Sequence, residues 1–265
     1  MPQYGYMYNL MEPLMPQIGK AKRFGCDFIE IYIEPPNMPA LIIKNSGAIR
    51  RELKKHGIFC TVHMAYWAEL GSEIEIVRLA WMREALTALA AAASIGAKKF
   101  VVHARAAGMS LLIPKNKKTV MDNFIKSFGE LAGLASKYGM KVAIENESLG
   151  ERLTIGDFVH IARSVKSACI TMDTGHIFMS RGRNSDIRAF IRKLGKRIEH
   201  CHFSDNRGSE DEHLPIGKGG IDYAMVVREL RRMGYDKTIT FEIFQGGDAG
   251  FRSSLKAIRE LWKGR

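Results

Sequence analysis

Short apolar runs that stop on a polar residue recur along the chain. Phe59–Val62 leads to His63, Phe100–Val102 to His103, Val142–Ile144 to Glu145 and Ile170–Met172 to Asp173. His200-Cys201 leads to His202, and Ile239–Phe241 leads to Glu242. A run of this length with no polar face reads as a buried parallel strand. Gly5–Tyr8 and Phe28–Ile33 add two more strands, the second stopped by Pro35-Pro36. Longer segments between them carry helical signals: Leu14–Phe24, Ser46–His56, Ser72 to Gly96, Thr119–Gly139, a segment from Thr154, Ser185–Leu194, Tyr223–Met233 and Phe251–Trp262. Gly57, Gly139 and Gly234 suit helix ends. Ser72 with Glu75, and Thr154 with Asp157, predict side-chain caps at helix starts.

Strand and helix therefore alternate throughout, eight of each. That order predicts an α/β fold, a single (β/α)8 TIM barrel occupying residues 1–265 as one domain. A doubly wound open sheet is the other arrangement of the same alternation. It spreads the polar strand tips along a line, whereas a closed barrel gathers them in one pocket. No Gly-rich phosphate loop follows the first strand, so a dinucleotide fold has no support.

Composition changes this picture little. Hydrophobic residues make up 46% of the 265, ordinary for a chain with a large core. No apolar stretch reaches the length of a membrane span. Met1–Leu10 does not read as a signal peptide. The cysteines Cys26, Cys60, Cys169 and Cys201 form no CxxC pair and lie at apolar runs. These points predict a cytoplasmic protein with reduced, packed thiols and no membrane partner. Charge adds one question. The formal net charge is +12, which fits a solvated basic surface or attraction to phosphate, on a sugar or on nucleic acid.

The chemistry gathers at the strand tips. Glu145, Asp173, His202 and Glu242 offer three carboxylates and one imidazole, a donor set for Mn, Zn, Mg or Fe as divalent ions. His63, His103, His176, Asp211 and His213 are candidates for additional metal or substrate ligands. A lone histidine at a strand end is more often a hydrogen-bonded core residue. Nine such groups in register with the strand tips point to a metal site.

Five segments carry a resemblance: Val-Ala-Ile-Glu-Asn (142–146), Met-Asp-Thr-Gly-His (172–176), His-Phe-Ser-Asp-Asn (202–206), Asp-Glu-His-Leu-Pro-Ile-Gly-Lys-Gly-Gly-Ile (211–221) and Phe-Glu-Ile (241–243). The chain resembles the xylose isomerase-like barrels, a superfamily that joins sugar isomerases and epimerases to the endonuclease IV family of DNA repair enzymes. The isomerase branch implies one divalent ion on Glu145, Asp173, His202 and Glu242, and a sugar or sugar phosphate as partner. Glu145 and Glu242 would then be catalytic, exchanging a proton with the carbon beside a carbonyl. His176 and His213 would orient hydroxyls. The nuclease branch implies up to three zinc ions on all nine residues and phosphodiester hydrolysis at abasic sites in DNA. This chain has Asp173-Thr-Gly-His where the nucleases have Asp-Thr-Cys-His, His202-Phe-Ser-Asp for His-x-Asn-Asp, and His103-Ala-Arg for His-Pro-Gly. The departures favour the sugar branch.

Arg105, Arg181, Arg183, Arg207 and Lys218 are candidate phosphate contacts or plain surface charges. The loop Ala104–Lys118 brings Met109, Leu111, Leu112 and Ile113 beside Lys115, Lys117 and Lys118. It suits a lid, a subunit contact in a homo-oligomer, or a wedge for a DNA groove.

Overall fold

The computed structural model describes residues 1–106, 111–147, 153–180 and 182–264. The strands are β1 (Gln3–Met7), β2 (Phe28–Ile33), β3 (Phe59–Met64), β4 (Lys99–His103), β5 (Lys141–Glu145), β6 (Cys169–Asp173), β7 (Ile198–Phe203) and β8 (Thr238–Phe241). The helices are α1 (Leu14–Arg23), α2 (Asn37–His56), α3 (Glu75–Ser94), α4 (Pro114–Ser136), α5 (Ile155–Ser164), α6 (Thr174–Met179), α7 (Asn184–Leu194), α8 (Tyr223–Arg232) and α9 (Gly247–Trp262). All strand pairs are parallel, and β1 pairs with both β2 and β8, closing a (β/α)8 barrel. The register puts His103 beside Glu145 and Asp173 beside His202, so neighbouring tips end level with one another.

The sequence places strands at Phe28–Ile33, Lys99–His103, Cys169–Asp173 and Ile198–Phe203, and β2, β4, β6 and β7 have these limits. β8 ends at Phe241, because the backbone N–H of Phe244 turns away to the carbonyl of His213. α2 starts at Asn37, earlier than Ser46, with Pro39 in its first turn. The missing N–H of a first-turn proline has no helical partner to lose, so proline there does not block a helix. α4 likewise opens on Pro114. The cap expected at Ser72 does not form. α3 begins at Glu75, whose carboxylate instead takes two hydrogen bonds from the buried Arg78, at 2.6 and 2.7 Å. At α5 the reciprocal Thr154–Asp157 cap is complete. α6 was not expected; Asp173 caps it, its Oδ1 accepting the N–H of His176 at 2.6 Å.

Side chains of a strand alternate faces, so every second strand residue points into the barrel. Near its base Phe28 crosses under Gly5, where an added Cβ would lie 2.2 Å from the ring. Phe28 also stacks on Phe59 at 5.0 Å. Val101, Ala143 and Cys169 form a small apolar cluster of their own. Between this base and the strand tips lies a buried polar band of Glu30, Thr61, His200 and Thr240, in place of the branched aliphatic layers that commonly fill such barrels. The main core lies outside the sheet, under the helices, with Phe124 on Phe128 and Phe158 against Phe190. All four cysteines are free and buried, and burial pushes each thiol up to about 12. No helix among the described residues is long and apolar enough to cross a membrane.

Candidate metal centre

Glu145, at the tip of β5, is buried at the centre of the site. Its Oε2 lies 3.0 Å from His63 Nε2 and 3.3 Å from His103 Nε2. Its Oε1 lies 3.2 Å from His202 Nδ1 and 3.5 Å from His176 Nδ1. His202 Nδ1 is also 3.1 Å from Glu242 Oε1 and 3.9 Å from Asp173 Oδ2. On the solvent side, Asp211 Oδ2 lies between His176 Nε2 at 3.2 Å and His213 Nε2 at 3.0 Å. The nine residues singled out in the sequence thus converge on one end of the barrel.

Several of these atoms are close but not hydrogen-bonded. Glu145 Oε1, Asp173 Oδ2 and His202 Nδ1 are buried and have no hydrogen-bond partner. Unpartnered buried donors and acceptors are costly and uncommon. Donor atoms of Glu145, Asp173 and His202 lie within 4.8 Å of one another, as do those of His63, His103 and Glu145 and those of His63, His202 and Glu242. Carboxylate oxygens and an imidazole nitrogen left free at this spacing fit a divalent cation.

The electrostatics agree with that fit. Burial opposes the charge on Glu145, yet His103 and His202 hold its carboxyl well below the usual carboxylate range. Burial alone would also raise Glu242, but His202 keeps it low. Asp173 goes the other way: burial, and the like charges of Glu242, Glu145 and Asp211, push it up to about 7. For His202, the carboxylates Glu145 and Glu242 outweigh burial and hold the imidazole well above its ordinary value. Asp173 and His202 thus face neighbouring carboxylates, while Glu145 and Glu242 face imidazoles.

Four contributors escape a motif search. Glu147 accepts from His103 Nδ1 at 2.7 Å, and Tyr32 stacks on His63 at 4.7 Å. Glu30 and His200 lie beneath His202, with Glu30 Oε1 at 3.2 Å from His202 Nε2. The signal for Glu30 is its place in the inward period-two series Phe28, Glu30, Tyr32.

A cavity of about 640 Å³ opens above the cluster. Met7, Tyr8, Leu10, Met11, Met179 and Phe244 are among the apolar residues that line it. Arg105 reaches the cavity, lies 5.2 Å over the Tyr66 ring and is 3.5 Å from Glu147. Arg183, Arg207 and Lys218 do not line it. Arg183 pairs with Asp186, Arg207 with Glu212, and Lys218 is exposed. Arg181 and Met109 fall outside the described residues. In the loop after β4, Leu111 is buried while Leu112 and Ile113 are exposed. Lys117 is held by Asp157 and Lys118 by Asp122, both at 2.7 Å.

The profile of xylose isomerase-like TIM barrels matches residues 18–261, and the chain belongs to that family. An uncharacterised protein of Methanocaldococcus jannaschii is 32% identical over 130 residues, which span 46% of this chain and 43% of that protein. Among solved structures, a D-tagatose 3-epimerase-like protein superposes with a TM-score of 0.79 at 24% identity, covering 97% of this chain and 98% of that one. An L-ribulose 3-epimerase superposes with a TM-score of 0.81 at 15% identity, covering 100% and 95%. Likeness at these identities establishes the shared fold.

Proposed function

We propose that this chain is a divalent-metal-dependent isomerase or epimerase of a sugar or sugar phosphate, moving a proton on the carbon next to a carbonyl. The observation that carries this reading is the set of unpartnered buried atoms on Glu145, Asp173 and His202, with the Glu242 carboxylate beside them. The sugar 3-epimerases that share the fold support the substrate class. Four buried free thiols support a reducing, cytoplasmic setting.

Glu145, Asp173, His202 and Glu242 would hold the ion. It would supply Lewis-acid stabilisation of negative charge developing on the substrate's carbonyl and neighbouring hydroxyl oxygens. The protein's residues do the rest. Glu145 and Glu242 are both held in the ionised form, so either can accept a proton from carbon. When the C–H bond breaks, its electron pair moves toward the carbonyl oxygen. Return of a proton to the opposite face inverts the carbon, and return to the neighbouring carbon isomerises the sugar. No net oxidation occurs. His176 and His213 border the cavity and would hold hydroxyls.

The direct test is deuterium exchange. Metal-loaded protein in D2O, given a panel of ketoses and their phosphates, should place deuterium on one carbon next to the carbonyl, read by proton NMR. Absence of exchange across the panel would sink the proposal.

A second reading has its own support in the geometry. His63 and His103 meet on Glu145 Oε2, and His176 and His213 meet on Asp211 Oδ2, flanking the central set on both sides. These are the nine positions that the nuclease resemblance implies for three zinc ions and for hydrolysis of DNA at abasic sites. Metal content per chain separates the readings: one equivalent fits the isomerase, three the nuclease.

A further inference from the structure

Beneath the candidate metal centre a chain of hydrogen bonds runs through the inside of the barrel. It starts at Lys99, the first residue of β4, whose Nζ donates to Thr238 Oγ1 at 2.8 Å. Thr238 Oγ1 lies 2.6 Å from His200 Nδ1, and His200 Nε2 lies 2.8 Å from Glu30 Oε2. Glu30 Oε1 is 3.2 Å from His202 Nε2. Glu30, His200 and His202 are wholly buried.

The ends of the chain fix its direction. An ammonium group only donates and a carboxylate only accepts. Thr238 Oγ1 accepts from Lys99, so its own proton goes to a neighbour. His200 Nδ1 at 2.6 Å is a closer acceptor than the carbonyl of Glu199 at 3.2 Å. His200 then receives on Nδ1 and donates from Nε2 to Glu30. Glu30 Oε2 also accepts from Thr61 at 3.0 Å and from Thr240 at 2.5 Å, leaving Oε1 to accept from His202 Nε2–H. Nδ1 of His202, the nitrogen without a hydrogen-bond partner, faces the carboxylates.

We infer that Glu30 is a positioning residue, committing His202 Nε2 as a donor and thereby presenting His202 Nδ1 to a cation. The inference rests on His202 being a metal ligand. The same three residues have the spacing of a cation site of their own. Both Glu30 oxygens are already engaged by hydrogen-bond donors, however, and no atom of Glu30 or His200 is left unpartnered. The cluster is therefore a relay. A carboxylate behind a ligating histidine fixes the ring orientation and makes the nitrogen a stronger donor to the metal. Here that carboxylate is itself oriented by a lysine at the opposite end of the strands.

Two measurements, neither needing a substrate, test this. In zinc-loaded protein, nitrogen-15 NMR should show His202 ligating through Nδ1 with a slowly exchanging proton on Nε2. Titration with Mn2+ against a chelating dye should show that Glu30→Gln weakens binding about 10- to 100-fold, with circular dichroism unchanged. Lys99→Met should move the Mn2+ dissociation constant in the same direction and speed exchange of the Nε2 proton. Ligation through Nε2, or equal Mn2+ affinity in wild type and Glu30→Gln, overturns the role of Glu30. If Glu30→Gln does not fold, the wild-type spectrum and Lys99→Met decide alone. A wild-type protein that binds no Mn2+ overturns the metal reading itself, an outcome distinct from equally tight binding in both proteins.

Discussion

At the scale of single residues, Glu145 is the group on which most of the site depends. Replacing it with Gln keeps its size but removes the charge facing His63, His103 and His202. Turnover should fall by about 10²- to 10⁴-fold or more, the range for a positioned acid or base. The fold should survive, because crowded functional groups are rarely optimised for stability. Steady-state kinetics beside a thermal melt checks both, and a fully active variant would refute the assignment. His213 makes a second case. It has a φ of 48°, the positive region that only glycines otherwise occupy among the described residues. Such strain persists where surrounding contacts enforce it, commonly at functional positions. Its Nδ1–H donates to the Glu242 carbonyl, 3.1 Å away, and its Nε2 lies 3.0 Å from Asp211 Oδ2. Asp211→Asn with His213→Ala should leave metal content unchanged and raise the Michaelis constant under the isomerase reading. Under the nuclease reading it should remove one metal equivalent. A double variant altered in neither respect would make this loop plain surface.

At the scale of elements, the start of α5 is fixed by an arrangement legible in four residues. Thr154 and Asp157 cap each other, and Lys117 ties Asp157 to α4. Thr154→Ala should cost about 1 kcal/mol, measured by urea unfolding. Burial opposes the charge on Asp157, but Lys117 and the Thr154 groups win and hold its carboxyl below the ordinary value of 3.8. A carboxyl lowered on folding stabilises the protein above its unfolded value and loses that contribution as pH falls through the folded one. The stability gap between wild type and Asp157→Asn should therefore be constant at neutral pH and close below about pH 4; a gap that widened in acid would contradict it. The strands were readable because both faces are covered, so each carries a short, mostly apolar run; β5 has Val142–Ile144 without a break, while Glu30 and His200 interrupt β2 and β7. The helix starts were less so. Pro36 and Pro39 look like breakers although α2 accepts Pro39 in its first turn. Ser72 and Glu75 have the spacing of a cap, yet Arg78, one turn along the same helix, draws the Glu75 carboxylate into an i,i+3 ion pair, and the buried guanidinium also donates to Ser127 on α4 at 3.0 Å. Glu30 hid because one acid in an apolar strand shows nothing of the histidines that β7 brings to it.

At the scale of the whole molecule, the +12 charge calls for a test against DNA. Lys115 is exposed, but Lys117 and Lys118 are engaged by Asp157 and Asp122. A protein that neutralises several phosphates loses affinity with salt at a log–log slope near −0.9 per contact. We expect no salt-steep binding of a duplex carrying an abasic site, and little change in sugar turnover when Lys115, Lys117 and Lys118 are reversed to Glu. Nanomolar, salt-steep binding that the triple variant loses would promote the nuclease reading.

The buried thiols equip the protein with its own reporters. Cys60, Cys169 and Cys201 belong to β3, β6 and β7, and Cys26 lies just before β2. A thiol raised to about 12 has almost no thiolate at neutral pH, so a maleimide dye finds nothing to label until the barrel opens. If the staves part together, all four cysteines should gain label at one rate as urea rises. If the barrel unzips at a seam, the cysteines on the first strands to leave will label first, and peptide mass spectrometry would locate the seam.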